Sequence, residues 1–500
     1  MTISGLGNRS SQTMKVLVDM RTKLDDLQRQ LGTGKKSATY SGLGLDRSLA
    51  VGLRSQLTSI KAFGDSITDV DVRLKLSQTA LTQVDGSRIA VKNAVMKSVY
   101  TLDNTGQTAD QKAAYQHLDL ILGALNTRSG DRYLFSGSAV DRSAVETAGK
   151  IIDGDGIHAG LKQIIDERRQ ADLGASGLGR LAIGTPSGTE TSLTEDASPF
   201  GFTIANISTT LTGSTLTGPS APPVAVSIDL GAVNPNAGET VTFTLGMPDG
   251  TTTSLTLTAI ASVTPGPNEF SIGAATTNTA TDLQAALSTA LGTLAETTLT
   301  AASAVAAGND FFNTDAANPP KRVQGPPPFN ASTALVNGTS ADTVMWYTGE
   351  AGSTSARSTA NAKVDPSISV SYGMRANEQA LRLAVQNIAV FAAISYSASN
   401  PNDAASYDAL KTRVASGLAG QQGEQKITDI ESEIAGAQTT LKAAADRHTQ
   451  TNSTLSDLLG QIEGVSTEEV ASQILSLQTS LQASLQTTAM MYQTSILNYL

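Results

Sequence analysis

The stretch Ile427-Thr-Asp-Ile-Glu-Ser-Glu-Ile-Ala-Gly-Ala-Gln-Thr-Thr-Leu-Lys-Ala-Ala444 decides how the rest of the chain is read. Ile427, Ile430, Ile434, Ala437, Leu441 and Ala444 are spaced alternately three and four apart, which puts them on one narrow stripe of a helix. The seam turns polar at His448 and Thr451 and resumes at Leu455, Leu458, Ile462 and Val465. Gly464 is placed to end this helix in a left-handed conformation. Ser466-Thr-Glu-Glu469 then reads as a capping box for a second helix. That helix carries Val470, Ile474, Leu477, Leu481 and Leu485 and runs to Ile496, Leu497 and Leu500. A seam this long needs another long helix to cover it, from this chain or a neighbour.

The N-terminal end repeats the pattern. Residues 8–31 carry Leu17, Met20, Leu24, Leu27 and Leu31 between charged flanks, and Gly32-Thr-Gly34 closes that helix. A second helix is expected over 47–103, with Ile60, Phe63, Ile67, Val70, Leu74, Leu81 and Val84 on its seam and Ser77 interrupting it. At about 1.5 Å per residue it would exceed roughly 80 Å, a length suited to a rod. Further helices are expected over 108–127 and 156–173. Arg132-Tyr-Leu-Phe-Ser-Gly137 reads as a short strand.

From about residue 186 the texture changes. Ala225 to Leu230 alternates, and Thr240 to Leu245 and Thr253 to Thr258 flank Met247-Pro-Asp-Gly250, a hairpin signal. Leu283, Ala286, Leu287, Leu291 and Leu294 mark one short helix, and Thr343 to Tyr347 and Ser367 to Tyr372 read as strands. Helix returns at about 376, and Asn400-Pro401 is a plausible cap for the next one. The expected class is α+β: a long antiparallel coiled-coil rod formed by both chain ends, with a β-rich insertion. The expected segments are an N-terminal rod over 1–140, a connector over 141–189, the insertion over 190–345, a β connector over 346–375 and a C-terminal rod over 376–500.

Charge supports that division. Residues 186–345 hold twelve acidic residues and only two basic ones, Lys321 and Arg322. The chain's net charge of −10 therefore comes from the middle, and the two ends together are neutral and charge-mixed, as coiled-coil flanks are. Cysteine is absent, which excludes disulfides and thiolate metal sites. Five hundred residues suggest about three domains. The N-terminus lacks a basic region followed by an apolar run, so no secretory signal is expected. No apolar run is long enough to span a membrane.

No catalytic constellation emerges, and neither an enzyme nor a bound metal or cofactor is expected. His117, His158 and His448 are scattered, and a helical histidine is most simply a packed or solvated one. Asp153-Gly-Asp-Gly156 has the start of a calcium loop without its later ligands, so it reads as a turn. Gly174-Ala-Ser-Gly-Leu-Gly179 lacks a dinucleotide spacing and reads as a linker, and Lys35-Lys36 is too short for a nucleic-acid patch. Asn206-Ile-Ser208 and Asn337-Gly-Thr339 match the glycosylation sequon, a pattern common by chance.

Two terminal helical segments around a variable middle resemble the flagellin superfamily of bacterial axial proteins. The run Met14 to Leu31 followed by Gly32-Thr-Gly34-Lys35-Lys36 is similar to the flagellin-type N-terminal motif. Arg132-Tyr-Leu-Phe-Ser-Gly137 and the ending Tyr492-Gln-Thr-Ser-Ile-Leu-Asn-Tyr-Leu500 are similar to the hook–filament junction branch of that superfamily. The chain lacks the closing arginine and the Asn-rich opening usual in flagellin itself. The resemblance covers about 1–140 and 375–500. It implies a structural subunit of an extracellular flagellum, exported unfolded without a cleavable signal. The implied partners are further copies of itself, flagellin, hook-associated protein 1 and an export chaperone on the C-terminal helix, with no nucleic acid and no membrane insertion. The implied assembly interface is Leu17, Met20, Leu24, Leu27 and Leu31 with Val470, Ile474, Leu477, Leu481, Leu485, Ile496, Leu497 and Leu500. A flagellin and a secreted coiled-coil stalk adhesin are the alternatives. The seams have no obvious partner over their full length within one chain, so both ends are expected to be loose in the monomer.

Overall fold

Helix α1 (Ile3–Thr33) ends where Gly34 takes φ +66°, a conformation other residues reach only with strain. The computed structural model describes residues 3–314 and 318–497. Helix α2 (Arg47–Lys97) stops six residues short of the expected end. Beyond it the Asp103 carboxylate accepts the backbone N–H groups of Thr105 and Gln107, a local turn that competes with helix. Helix α3 (Ala109–Leu125) opens on a complete capping box, with the Gln111 N–H on Thr108 Oγ1 at 3.3 Å and the Thr108 N–H on Gln111 Oε1 at 3.0 Å. A short helix, α4 (Ala148–Asp153), was not apparent from periodicity. Helix α5 (Leu161–Leu173) starts five residues later than expected. Gly154 and Gly156 both hold positive φ, and the Asp155 carboxylate accepts the Ile157 and His158 N–H groups, so Asp153–Gly156 is a turn.

The single short helix expected near 283–294 is the first part of a longer helical stretch. Helix α6 (Thr276–Leu294) passes through a π-turn (Ala295–Leu299) into α7 (Thr300–Phe312). Alanine-rich sequence favours α7 intrinsically, but most of its apolar residues are alanines, too small to stand out as a seam. Helices α8 (Gln379–Ala393) and α9 (Asp403–Ala419) follow. Helix α9 begins after Asn402, and Asn400 acts as a tether whose Nδ2 donates to Asp403 Oδ1 at 2.7 Å. Helices α10 (Ile427–Glu463) and α11 (Thr467–Leu497) complete the chain. The class is α+β.

The described chain divides into two units. The first comprises residues 3–70, 362–370 and 439–497: α1, the start of α2, the end of α10, and α11, with most of a hairpin formed by Asn361–Asp365 and Ile368–Ser371. Its apolar cluster is Leu27, Val470 and Ile474, flanked by Leu24, Val465 and Leu477.

The second unit comprises residues 71–361 and 371–438. One four-stranded sheet orders Glu269–Ser271, Thr252–Ile260, Thr240–Gly246 and Thr203–Thr209. The expected Pro-Asp-Gly hairpin closes between Gly246 and Thr252, with Asp249 accepting the Thr251 N–H. A second sheet orders Leu181–Ile183, Glu190–Glu195, Ala225–Asp229 and Thr215–Thr217, all antiparallel. Leu283, Leu287 and Leu291 of α6 share one core with Phe243, Leu257 and Phe270 of the first sheet and Leu193 and Ile228 of the second. The expected strand Thr343–Tyr347 forms no ladder. It makes isolated bridges to Ala159 and Val145, because the chain opposite is broken up by α4 and its turns. Its Trp346 is fully buried, with Nε1 donating to Phe312 O at 2.9 Å.

Helix α7 lies inside the span 190–345, yet it packs on α5, α8 and α9. That span is therefore not a clean excision: removing it would also remove Phe311 and Phe312 from a buried helical layer. The layer is close. A Cβ at Gly308 would stand 2.4 Å from Val390 Cγ2, whereas one at Gly292 in α6 would meet only Leu178 Cδ2 at 3.8 Å. Gly308→Leu should therefore cost about 1–3 kcal/mol through overpacking. Gly292→Ala should stabilise by about 0.5–1 kcal/mol through helix propensity. Urea unfolding of the two variants checks both, and equal effects would contradict this packing.

Candidate assembly surface

The terminal helices meet at a junction built from backbone. The Val465 N–H donates to Gly34 O at 3.1 Å and the Lys36 N–H to Glu463 O at 2.7 Å, around a bridge between Lys35 and Gly464. Gly464 is not left-handed, contrary to the expectation for a helix terminator. Glycine suits the site for another reason: a Cβ there would lie 2.4 Å from Gly460 O. Arg54 clamps the same junction, its Nε on Glu463 Oε1 at 2.9 Å and Nη2 on Oε2 at 2.6 Å, while its guanidinium lies 5.4 Å from the Tyr40 ring centre. Glu463 itself is buried, so this bidentate pair is better shielded than an ordinary surface pair. The start of α11 is capped as expected on one side, with the Glu469 N–H on Ser466 Oγ at 3.2 Å. The Glu469 carboxylate turns along the helix and accepts from Gln473.

From this junction α1 and α11 run antiparallel, since Leu24 and Leu27 pack against Val470, Ile474 and Leu477. The seams are expected to lack a partner over their full length within one chain; near the junction each is the other's partner, and farther out the apolar positions are exposed. Leu27, Val470 and Ile474 are buried, and Leu17, Met20, Leu24, Leu477 and Leu481 are half-buried. Leu31 and Leu485 do not join them. Leu31 comes level with the polar first turn of α11, Thr467 to Glu469, which offers no apolar side chain. Leu485 is 50% exposed. Ile496 and Leu497 lie in α11 with side chains outside the described residues, as does all of Leu500.

Apolar side chains off the facing seam are exposed. Met14 is 65% exposed, Leu475 65% and Met490 60%, and Val16 and Val18 are exposed as well. Met14 and Val18 are one turn apart, so they extend an apolar face that α11 leaves uncovered. Two helices can bury only the facing stripe of each, and these carry more apolar surface than one stripe. Sequence reading found the facing seam but not this second face, whose signal is the pair of apolar residues beside Leu17.

His448 explains the polar break in the α10 seam. Its ring stacks on Phe63 with centroids 5.7 Å apart, and Nε2 lies 2.7 Å from Val364 O. A polar group at a seam position needs a buried partner, and the 361–371 hairpin supplies it. Arg447 Nη2 reaches Asp365 Oδ2 of the same hairpin at 3.1 Å. Among the described residues no group of three or more acidic or histidine side chains is placed to hold a metal ion, and no helix is long and apolar enough to cross a membrane. No protein-family model and no curated protein matches the chain.

This arrangement separates inner from outer positions. Ile474→Ala should destabilise the α1–α11 pair by about 2–4 kcal/mol, and hydrogen exchange should quicken on both helices together. Leu485→Ala should change monomer stability by less than about 0.5 kcal/mol. Exchange that quickened on α11 alone after Ile474→Ala would show that the two helices are not energetically joined.

Proposed function

We propose that this chain is a structural subunit of the bacterial flagellum, at the junction of hook and filament, of the type called hook-associated protein 3. In this reading both chain ends form a long antiparallel coiled-coil rod, and the β-rich middle faces outward. The observation that carries it is the set of exposed apolar side chains on the paired α1 and α11, Met14 and Val18 on one and Leu475 and Leu485 on the other. Large exposed apolar surface on a soluble chain marks an interaction site. Long helices that leave a stripe free are suited to stacking with further helices of the same kind.

The subunits would form a ring by self-association, with hook-associated protein 1 on one side and flagellin on the other. Export through a narrow channel suits a chain without disulfides, and α11 offers a chaperone an amphipathic helix before assembly. No catalytic role is proposed. Flagellin itself is the nearest alternative, because a filament subunit needs the same kind of terminal helices, and a stalk adhesin is the next.

Replacing Ile474, Leu477 and Leu481 together by Ser removes aliphatic anchors worth about 1.5–3 kcal/mol each when fully buried. The expected result is a protein that is still made and exported while filaments are shed into the medium. Wild-type swimming would show that the α1–α11 pair, and the outer side chains it presents, are not needed for assembly. Copy number in purified flagella separates the readings: a junction subunit is a trace component and a flagellin is the bulk. An adhesin should be secreted normally when the flagellar export apparatus is deleted.

A further inference from the structure

A cavity of about 390 Å³ in the second unit has a chemistry unlike the rest of its surface. Its wall combines Asn309 and Asn313 from the end of α7, Asn337 and Lys321 from a two-stranded ladder, and Asn377 and Arg382 from the start of α8. That volume lies within the usual range for small-molecule sites of about 300–1,000 Å³.

Arg382 is the distinctive group. Among the described residues nothing accepts a hydrogen bond from its guanidinium, and its Nη1 is buried and unpaired. Burial pushes its pKa below the ordinary arginine value, and the nearest opposing charge, on Glu424, only partly offsets that. A half-buried guanidinium without a partner is poorly satisfied by the protein alone and is matched by a planar anion. Lys321 adds a second positive charge, in a span of 160 residues, 186–345, that holds only one other basic residue. Among the described residues the carboxylate on the wall is that of Asp310, which Arg168 takes up at 3.0 Å.

The remaining wall is amide. The side chains of Asn309, Asn313 and Asn377 make no hydrogen bond within the described residues, and each offers both a donor and an acceptor. That pairing matches hydroxyl groups, which also donate and accept. A bare cation is disfavoured by the two positive charges of Arg382 and Lys321. A nucleobase is disfavoured because no aromatic ring lines the wall. We propose that this cavity binds an acidic sugar, with its carboxylate on Arg382 and its hydroxyls on the asparagine amides. The inference does not depend on the flagellar reading.

Titration calorimetry on the full chain with D-glucuronate, D-glucose and inorganic phosphate tests it. Glucuronate should bind saturably and about tenfold or more tighter than either control. Arg382→Gln should weaken glucuronate about tenfold or more without lowering the unfolding midpoint, since the guanidinium has no protein partner to lose. Asn309→Asp, on the exposed rim, should weaken it as well by adding a negative charge. Absence of saturable glucuronate binding overturns the proposal, as does unchanged binding in both variants. Phosphate binding as tight as glucuronate would overturn it in favour of a plain anion site.

Discussion

A narrow apolar stripe on a long helix needs a facing surface to take it out of water, and that requirement organises this protein. In α10 the stripe is buried at Ile427, Ile430, Ile434, Leu441 and Ala444, and in α2 at Ile67, Val70, Leu74, Leu81 and Val84. Each seam is also interrupted by a buried polar residue, His448 in α10 and Ser77 in α2, and these two are treated differently. His448 is satisfied by Val364 O and by stacking on Phe63. Ser77 is fully buried with no partner for its hydroxyl. The first ties a β hairpin to the helices, and the second is a local cost carried within the seam.

The second unit solves a different problem, a core with few large side chains. Aromatics are only 4% of the chain, so helices approach closely through small residues instead. Gly308 sits against Val390, and Gly417 against the Asn387 amide, where a Cβ would meet Oδ1 at 2.2 Å. The aromatics present are concentrated. Phe311, Phe312, Trp346 and Tyr347 form one run of ring contacts, and Tyr100, Tyr396, Tyr407 and Phe391 another. Helix α5 carries the charged counterpart. Glu167 accepts Arg322 Nε at 2.8 Å, and Arg168 Nε bonds Asp172 at 2.9 Å. Burial pushes the Asp172 carboxyl above its usual range despite Arg168, and the Gly201 N–H bonded to it holds a neighbouring loop. Such buried pairs fix geometry more than they add stability.

Much of the helical frame was legible in the sequence because it rests on local rules. Heptad spacing placed α10, α11 and the seam of α2, and the Pro-Asp-Gly signal placed the hairpin at residues 246–252. The inner half of the candidate surface, Leu24 and Leu27 with Val470, Ile474 and Leu477, was legible for the same reason: a seam position is apolar whatever covers it. Other features escaped. The apolar residues of α7 are mostly alanines, which do not stand out as a seam. The strands at 181–183 and 215–217 are only three residues long, and those at 190–195 and 203–209 carry Thr and Ser between few large apolar residues, so their alternation is faint.

What the sequence by itself determined was which faces must be buried and where helices stop: Gly34 at the end of α1, Ser466 at the start of α11, the polar breaks at Ser77 and His448. What only the tertiary structure decided was the partner of each face. That α1 and α11 close on one another, that α7 belongs to a layer with α5, α8 and α9, and that Arg382 Nη1 is buried without a partner among the described residues all depend on contacts between residues far apart in the chain. The physical reason is that burial is encoded residue by residue, while pairing is a property of two surfaces. Apolar surface is removed from water equally well by several partners, and close fit, as at Gly308 and Gly464, is what selects among them.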